Sequence, residues 1–98
     1  YAMILKYNIK PGTLDGYYQY VMQEFVPALQ RRKVYMQHAY EVVYGEYPQR
    51  HIEFVVEHLS TLRELLEDPE WEHMEDRLQN YAENYTRQVI AYKGIFKL

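Results

Sequence analysis

The sequence predicts an α+β domain with the ferredoxin-like order β-α-β-β-α-β and a four-stranded antiparallel sheet. Three observations support this prediction. Four segments have the residue pattern of strands, two have apolar residues at helical spacing, and the second helix is broken at Asp68-Pro69. The length of 98 residues is typical of one domain, so residues 1–98 are assigned to a single unit.

The first half of the chain predicts a strand, a helix and a strand hairpin. Residues 1–10 alternate between apolar and polar side chains, and Pro11-Gly12 then turns the chain. A helix is predicted from Thr13, its N-cap, to about residue 32, with a kink at Pro27. Residues 34–44 and 50–59 are predicted to form the hairpin, joined by a loop over residues 45–49.

The second half predicts two consecutive helices and a last strand. Thr61 and Glu64 have the spacing of a capping box, which predicts a short helix over residues 61–67. Asp68 as N-cap and Pro69 at the first helical position predict a second helix from residue 69 to about residue 86. Trp71 begins its apolar stripe and is predicted to anchor the helix on the sheet. Residues 88–96 are predicted to form the last strand.

Composition excludes several classes of function. The net charge is -3 and the sequence has no long basic run, which argues against a nucleic-acid partner. No apolar run approaches the roughly 20 residues of a membrane span. The sequence has no Cys, which excludes disulfides and thiol catalysis and fits a cytoplasmic location.

One face of the predicted sheet has no helix to cover it. Its residues mix charged and apolar side chains, which is too apolar for plain solvent surface and too polar for a dry core. A partner sheet would bury such a face, so we expect a homodimer. The alternative is a monomer with a solvated sheet face. The residues expected on this face are Ile4, Lys6, Asn8, Gln37, Ala39, Glu41, Val43, Glu53, Val55, Glu57, Leu59 and Lys93.

Several motifs occur along nearly the whole chain. They are Lys10-Pro11-Gly12 followed by Leu14, Tyr17 and Tyr18, then Glu24-Phe25-Val26-Pro27-Ala28, residues 60–66, and Asp68-Pro69-Glu70-Trp71. Together they resemble those of the dimeric α/β-barrel superfamily, and within it the NIPSNAP-like and related small uncharacterised bacterial proteins. The resemblance implies two ferredoxin-like protomers whose sheets close into a barrel, with ligands between sheet and helices. It also implies activities such as cofactor-free oxygenation of phenolic polyketides, lactone isomerisation, polyketide cyclisation and haem degradation.

Two of these activities depend on residues that this chain lacks. Asn8 matches the first-strand Asn of haem-degrading relatives, but Leu65 and Glu75 stand where those relatives have Trp and His. Polyketide cyclases have His-Pro-Ala-His at the helix break, where this chain has Asp68-Pro69-Glu70-Trp71. We therefore expect no cofactor.

Two histidines are the candidate catalytic residues. His38 and His58 are predicted to lie on the apolar faces of neighbouring strands, with His38 opposite Val56 or His58 itself, and beside Tyr40. A histidine suits general acid–base work near neutral pH, and a phenol can orient a substrate oxygen. The alternative is two separate histidines, each hydrogen-bonded in or near the core. The predicted catalytic residues are His38, His58 and Tyr40, and the predicted ligand-binding residues are Tyr7, Asn8 and Trp71.

We expect no metal site, because no third ligand accompanies the two histidines on their face. Glu70 and His73 have the Glu-x-x-His spacing of di-iron helices, but one copy is better explained by a solvated acidic helix face.

These observations leave two functional hypotheses. The first is a dimeric protein that binds a small apolar or aromatic molecule, either as a binding protein or as a cofactor-independent monooxygenase, isomerase or cyclase on an aromatic or polyketide-like substrate. The second is a non-catalytic module that self-associates into dimers or larger assemblies, for which the 12 Tyr residues are suitable interface groups.

Overall fold

The computed structural model of the chain describes residues 1–42 and 49–91. Its sheet has the strand order β2-β3-β1-β4, and all three neighbouring pairs are antiparallel. The predicted α+β, ferredoxin-like fold is confirmed. The elements in order are β1 (Ala2–Ile9), α1 (Leu14–Tyr20), a π-helical turn (Val21–Phe25), α2 (Val26–Arg31), β2 (Tyr35–Val42), β3 (Gln49–Val55), α3 (Leu59–Leu66), α4 (Pro69–Gln79) and β4 (Ala82–Ile90).

The core lies between one face of the sheet and the helices. Alternate residues of β1 point into it, as the alternating sequence predicts. Burying large apolar side chains is the main favourable term in folding, and several of the largest buried side chains here are aromatic. The largest fully buried side chains are Trp71, Tyr7, Tyr17, Phe25, Phe54, Met3, Leu5, Leu29, Ile52, Leu62, Leu65 and Leu78.

The first helical region widens into the π-helical turn directly before Pro27. The N–H of Val26 donates to the carbonyl of Val21, five residues back. Proline has no N–H, and its ring clashes with the carbonyl four residues earlier in an ordinary α-helix. A wider turn removes that conflict, so the helical direction continues into α2 without a gap.

The predicted helix break at Asp68-Pro69 is present. Asp68 Oδ1 accepts a hydrogen bond from the Glu70 N–H at 2.8 Å, and Asp68 Oδ2 accepts one from Arg32 at 2.9 Å. The Glu70 N–H and the Arg32 guanidinium hold the pKa of Asp68 below its usual value. Trp71 follows in the first turn of α4, is 2% exposed and packs against Phe25, as an anchor should.

Several predicted boundaries are wrong, among them the end of β3, which is Val55 rather than residue 59. The long helix ends at Gln79 rather than near residue 86, and β4 begins at Ala82 rather than at residue 88. Tyr81 and Tyr85 fit a helical stripe by spacing, yet Tyr85 lies on β4 and stacks on Tyr7. The capping-box assignment also fails, because α3 begins at Leu59 and places Thr61 inside the helix.

A β-bulge in β2 changes which way its side chains point. Met36 pairs with Phe54, but His38 pairs with Glu53, so Gln37 is an extra residue in β2. Opposed residues of an antiparallel pair point to the same side of the sheet. After Gln37, the even-numbered residues of β2 therefore point away from the helices.

A second bulge lies where β1 meets β4. Lys6 pairs with Thr86 and Asn8 with Glu83, which leaves one extra residue in β4. Asn84 in this bulge has φ of 55°, a left-handed conformation that Asn tolerates better than most residues. Neither bulge has a marked sequence signal.

The sheet face opposite the core is called the helix-free face. Ile4, Lys6, Glu53 and Val55 lie on it as predicted. Glu41 and Ala39 were predicted there but oppose Arg50 and Ile52 of the core side, because of the β2 bulge. Leu59 lies in α3 instead, and Val43 and Lys93 are outside the described residues. By register the helix-free face contains Ile4, Lys6, Tyr35, His38, Tyr40, Val42, His51, Glu53, Val55, Thr86, Gln88 and Ile90.

Candidate functional site

A cavity of about 590 Å³ opens at the end of the sheet where β1 finishes. The turn at Pro11-Gly12 forms part of its wall, and Gly12 has φ of 81°, which strains any residue with a Cβ. The Thr13 hydroxyl donates to the Lys10 carbonyl at 2.7 Å and fixes this turn. We call this space the Arg50 cavity; its described lining residues are Asn8, Ile9, Lys10, Pro11, Gly12, Leu14, Tyr18, Glu41, Arg50 and Glu83.

Arg50 reaches the cavity from the second residue of β3, in register with Tyr7 of β1. It shares its side of the strand with the buried residues Ile52 and Phe54, so its side chain extends toward the helices. Only 16% of that side chain is exposed. A charged group so covered needs hydrogen-bond partners to offset the cost of leaving water.

The partners of Arg50 are incomplete. Its Nη2 donates to the Tyr18 hydroxyl at 2.8 Å, and the guanidinium lies 5.3 Å from the Tyr18 ring centre and 5.7 Å from that of Tyr17. The nearest Glu41 oxygen is 3.8 Å away, beyond hydrogen-bond distance. Arg50 Nε is buried and has no hydrogen-bond partner among the described residues. Donor capacity therefore remains on the side chain that lines the cavity.

Arg50 stays charged in this setting. Burial lowers the pKa of its guanidinium, but the hydrogen bond to Tyr18 and the nearby Tyr17 and Glu41 raise it, and the net direction is upward. The Tyr18 oxygen accepts from Arg50, which leaves the Tyr18 hydrogen free to be donated to a ligand. Tyr18 is 42% exposed and lines the cavity.

Behind Arg50 lies a pair of buried phenols. The Tyr7 and Tyr17 hydroxyls hydrogen-bond to each other, and the Tyr7 ring stacks on Tyr85 at 6.2 Å. Burial raises the pKa of both hydroxyls, so both remain neutral near neutral pH. The pair forms a rigid, uncharged support under the guanidinium.

The structure does not bring the predicted catalytic residues together. His38 opposes Glu53 on the helix-free face, with its Nε2 3.9 Å from a Glu53 oxygen and 61% of its side chain exposed. The expected pairing of His38 with Val56 or His58 is wrong, because Met36 already pairs with Phe54 ahead of the bulge. The bulge then places His38 opposite Glu53 rather than Ile52, on the other face of the sheet. His58 lies beyond the end of β3, immediately before α3, with a 70% exposed side chain.

Tyr40 also points away from the core. It opposes His51 across the β2–β3 pair, and the two rings stack at 4.9 Å. Burial and the neighbouring Lys6 lower the pKa of His51. The predicted position of Tyr40 on the helix side is therefore wrong, for the same reason as that of His38.

The three predicted ligand-binding residues have different positions. Asn8 lines the Arg50 cavity, and its buried Oδ1 has no hydrogen-bond partner among the described residues. Tyr7 is fully buried behind Arg50 and does not line the cavity. Trp71 is a core residue outside the cavity lining. Only Asn8 thus has direct access to the cavity.

Arg50 and Tyr18 were missed as site residues in the sequence. Arg50 is the first residue of the strand predicted over residues 50–59, and it precedes a histidine. Both features are typical of a surface residue. One signal does indicate otherwise: Arg50, Ile52 and Phe54 occupy alternate positions, which places a charge on an apolar face.

Within residues 1–42 and 49–91, no group of three or more His, Asp or Glu side chains is placed to hold a metal ion. In the same ranges, no helix is both long enough and apolar enough to cross a bilayer.

Comparison with known proteins supports the fold. No family model matches the chain, and no curated protein matches it at a significant level. Solved structures do match. A NIPSNAP family protein from Agrobacterium tumefaciens superposes with a TM-score of 0.66 at 16% identity, over 100% of this chain and 99% of its own. An uncharacterised NIPSNAP domain protein from Burkholderia xenovorans gives 0.63 at 16% identity, over 92% and 93%.

A third match is a variant of SnoaB, a cofactor-independent oxygenase from Streptomyces nogalater. Its TM-score is 0.69 at 7% identity, over 99% of this chain and 96% of that one. The predicted resemblance to NIPSNAP-like proteins is confirmed at the level of the fold. At these identities the likeness concerns backbone architecture, and function must be argued from the cavity.

Proposed function

We propose that this protein binds a small organic molecule in the Arg50 cavity. The observation that supports this most is the buried Nε of Arg50, a donor without a partner among the described residues, on a side chain that lines the cavity. Buried donors are normally satisfied, and an exception beside a cavity is typical of a ligand site. The volume of about 590 Å³ lies in the usual range for small-molecule pockets.

We further propose that a reaction, where one occurs, takes place at a substrate oxygen held by Arg50 and Tyr18. Cofactor-independent oxygenation, isomerisation or cyclisation of an aromatic or polyketide-like substrate proceeds through an electron-rich oxygen anion. Two donors aimed at one oxygen stabilise such an anion. We thus assign the catalytic role to groups that line the cavity. His38 and His58, to which the sequence assigned it, have exposed side chains outside the cavity.

The binding proposal is tested by filling the cavity. Leu14 lines it and is 49% exposed, so Leu14→Trp adds bulk there with little cost to the core. Met22 is 54% exposed and is not a lining residue, so Met22→Trp is the matched control. A ligand-observed NMR screen would use two- and three-ring aromatic compounds of neutral, anionic and cationic type. We expect compounds that bind the wild type and Met22→Trp but not Leu14→Trp. An empty screen, or binding that Leu14→Trp leaves intact, would contradict the proposal.

A second proposal concerns assembly: the helix-free face binds the same face of another copy. Three of its apolar side chains, Tyr35, Tyr40 and Val42, are 46%, 55% and 37% exposed. Adjacent exposed apolar side chains on one sheet face favour association. The face also contains both signs of charge, Lys6 and Glu53 among them, so two copies can pair opposite charges across a two-fold axis. This observation equally supports the alternative of a self-associating module.

The assembly proposal predicts that Tyr40→Asp converts a dimer into a monomer, because a carboxylate would be buried against the partner sheet. Met22→Asp places the same charge on the helical side and should remain dimeric. Sedimentation velocity over a range of protein concentrations measures both. A wild type that stays monomeric at high concentration would contradict the proposal.

A further inference from the structure

Building on the proposed function, we infer the chemical class of the ligand: a flat aromatic carboxylate whose ionised oxygens bind the Arg50 guanidinium. One carboxylate oxygen also accepts a hydrogen bond from the Tyr18 hydroxyl. Three features of the site support this class: the donors that Arg50 still has, the residues of the cavity wall, and the acidic residue that lies near Arg50.

The donor count favours an anion with two acceptor atoms. A guanidinium has five N–H groups in a fixed plane, and its Nε edge matches the two oxygens of a carboxylate. Only the bond from Arg50 Nη2 to Tyr18 is formed with a described residue, and Nε is unpartnered. A neutral carbonyl presents one acceptor and no charge, so it uses this arrangement less fully than a carboxylate does.

The cavity wall favours a flat, mainly apolar body. The described lining includes the apolar residues Ile9, Pro11 and Leu14 and the aromatic ring of Tyr18. Flat rings suit such a wall because aromatic groups stack in offset or edge-to-face arrangements. A volume of about 590 Å³ has room for a two- or three-ring molecule.

Glu41 is the group that a bound carboxylate would displace. Its carboxylate lies 3.8 Å from Arg50 Nη2 and its side chain is 43% exposed, so it can turn into solvent. While it stays nearby, Glu41 repels a second anion. Glu41→Gln should therefore raise affinity for a carboxylate by about fivefold, the equivalent of one unit-charge interaction at about 4 Å in water.

The test uses two molecules of nearly the same shape, 3-hydroxy-2-naphthoate and 3-hydroxy-2-naphthamide; the amide is uncharged and has an NH2 group in place of one carboxylate oxygen. Titration calorimetry with the wild-type protein should show the carboxylate binding about tenfold more tightly than the amide, as expected for one charge-assisted hydrogen bond. Arg50→Met should remove that preference, and Arg50→Lys, which keeps the charge but loses the planar fork, should reduce it. Glu41→Gln should raise the affinity for the carboxylate and leave the affinity for the amide unchanged. Arg77→Met removes an arginine outside the cavity and should change neither affinity. Circular dichroism of each variant verifies folding.

Equal binding of carboxylate and amide would overturn the inference, as would a preference that survives Arg50→Met. The proposed function stays intact in either case if Leu14→Trp still blocks both molecules. If neither molecule binds, the aromatic-carboxylate inference is wrong. The neutral and cationic members of the earlier screen then decide whether the cavity binds any small molecule.

Discussion

Arg50 and Arg77 both lie over tyrosine rings, yet their surroundings differ. The Arg77 guanidinium is 4.4 Å from the Tyr20 ring centre and donates to both oxygens of Glu24, at 2.9 and 3.1 Å. Its side chain is 51% exposed. Arg50 is 16% exposed, has no carboxylate within hydrogen-bond distance among the described residues, and has a buried Nε without a described partner.

The contrast distinguishes Arg77, whose guanidinium is already paired with a carboxylate, from Arg50, which has an unpartnered donor and lines a cavity. An exposed guanidinium loses little hydration and needs few partners, whereas a covered one needs more. Here the covered arginine has fewer partners. The guanidinium fork that Glu24 fills at Arg77 has no carboxylate within hydrogen-bond distance at Arg50 among the described residues, and Arg50 lines a cavity. We therefore expect substitutions near Arg77 to affect folding and substitutions near Arg50 to affect binding.

The largest expected effect is on stability, in the core, on the same helix as Arg77. Trp71 is 2% exposed and packs against Phe25, so Trp71→Ala should lower the free energy of unfolding by about 3–5 kcal/mol. Urea denaturation measures this loss. Affinity for 3-hydroxy-2-naphthoate in the folded protein should stay unchanged. A folded Trp71→Ala variant that fails to bind would contradict the separation of this core anchor from the binding site.

A smaller effect is expected from the phenol pair behind Arg50. Tyr7→Phe removes the Tyr7–Tyr17 hydrogen bond and should cost about 1 kcal/mol of unfolding free energy. The Arg50–Tyr18 bond is separate, so binding should weaken far less than in Arg50→Met. If Tyr7→Phe weakens binding as much as Arg50→Met does, Tyr7 positions the guanidinium and the phenol pair belongs to the site.

Alkaline pH distinguishes the buried phenols from the exposed ones. Burial raises the pKa of Tyr7, Tyr17 and Tyr85, and raises that of Tyr20 to about 12. An unfolded chain loses these protons near pH 10, so above that pH it binds fewer protons than the folded state. Their stabilising contribution is therefore complete below about pH 10 and declines as the pH rises further. Absorbance titration should show that none of these phenols ionises near pH 10 while the protein is folded; ionisation near pH 10 in folded protein would contradict this.

The sequence predicts those parts of the molecule that depend on neighbouring residues. The alternation in β1 and the Asp68-Pro69 break are local chemistry, and both are present. The bulge at Gln37 depends on how β2 aligns with β3, which no local pattern specifies, and it moved His38 and Tyr40 to the other face. Arg50 becomes a site residue only because α1, far away in sequence, places Tyr17 and Tyr18 against it.

The role of Arg50 is best tested with a proton–nitrogen correlation spectrum of the arginine Nε groups, recorded while 3-hydroxy-2-naphthoate is added. The spectra of Arg50→Lys and Arg77→Lys assign the two arginine signals. We expect the Arg50 signal to shift downfield on binding, because its unpartnered Nε–H donates to the carboxylate, while the Arg77 signal stays in place. A ligand that binds without moving the Arg50 signal would show that Arg50 does not hold the carboxylate.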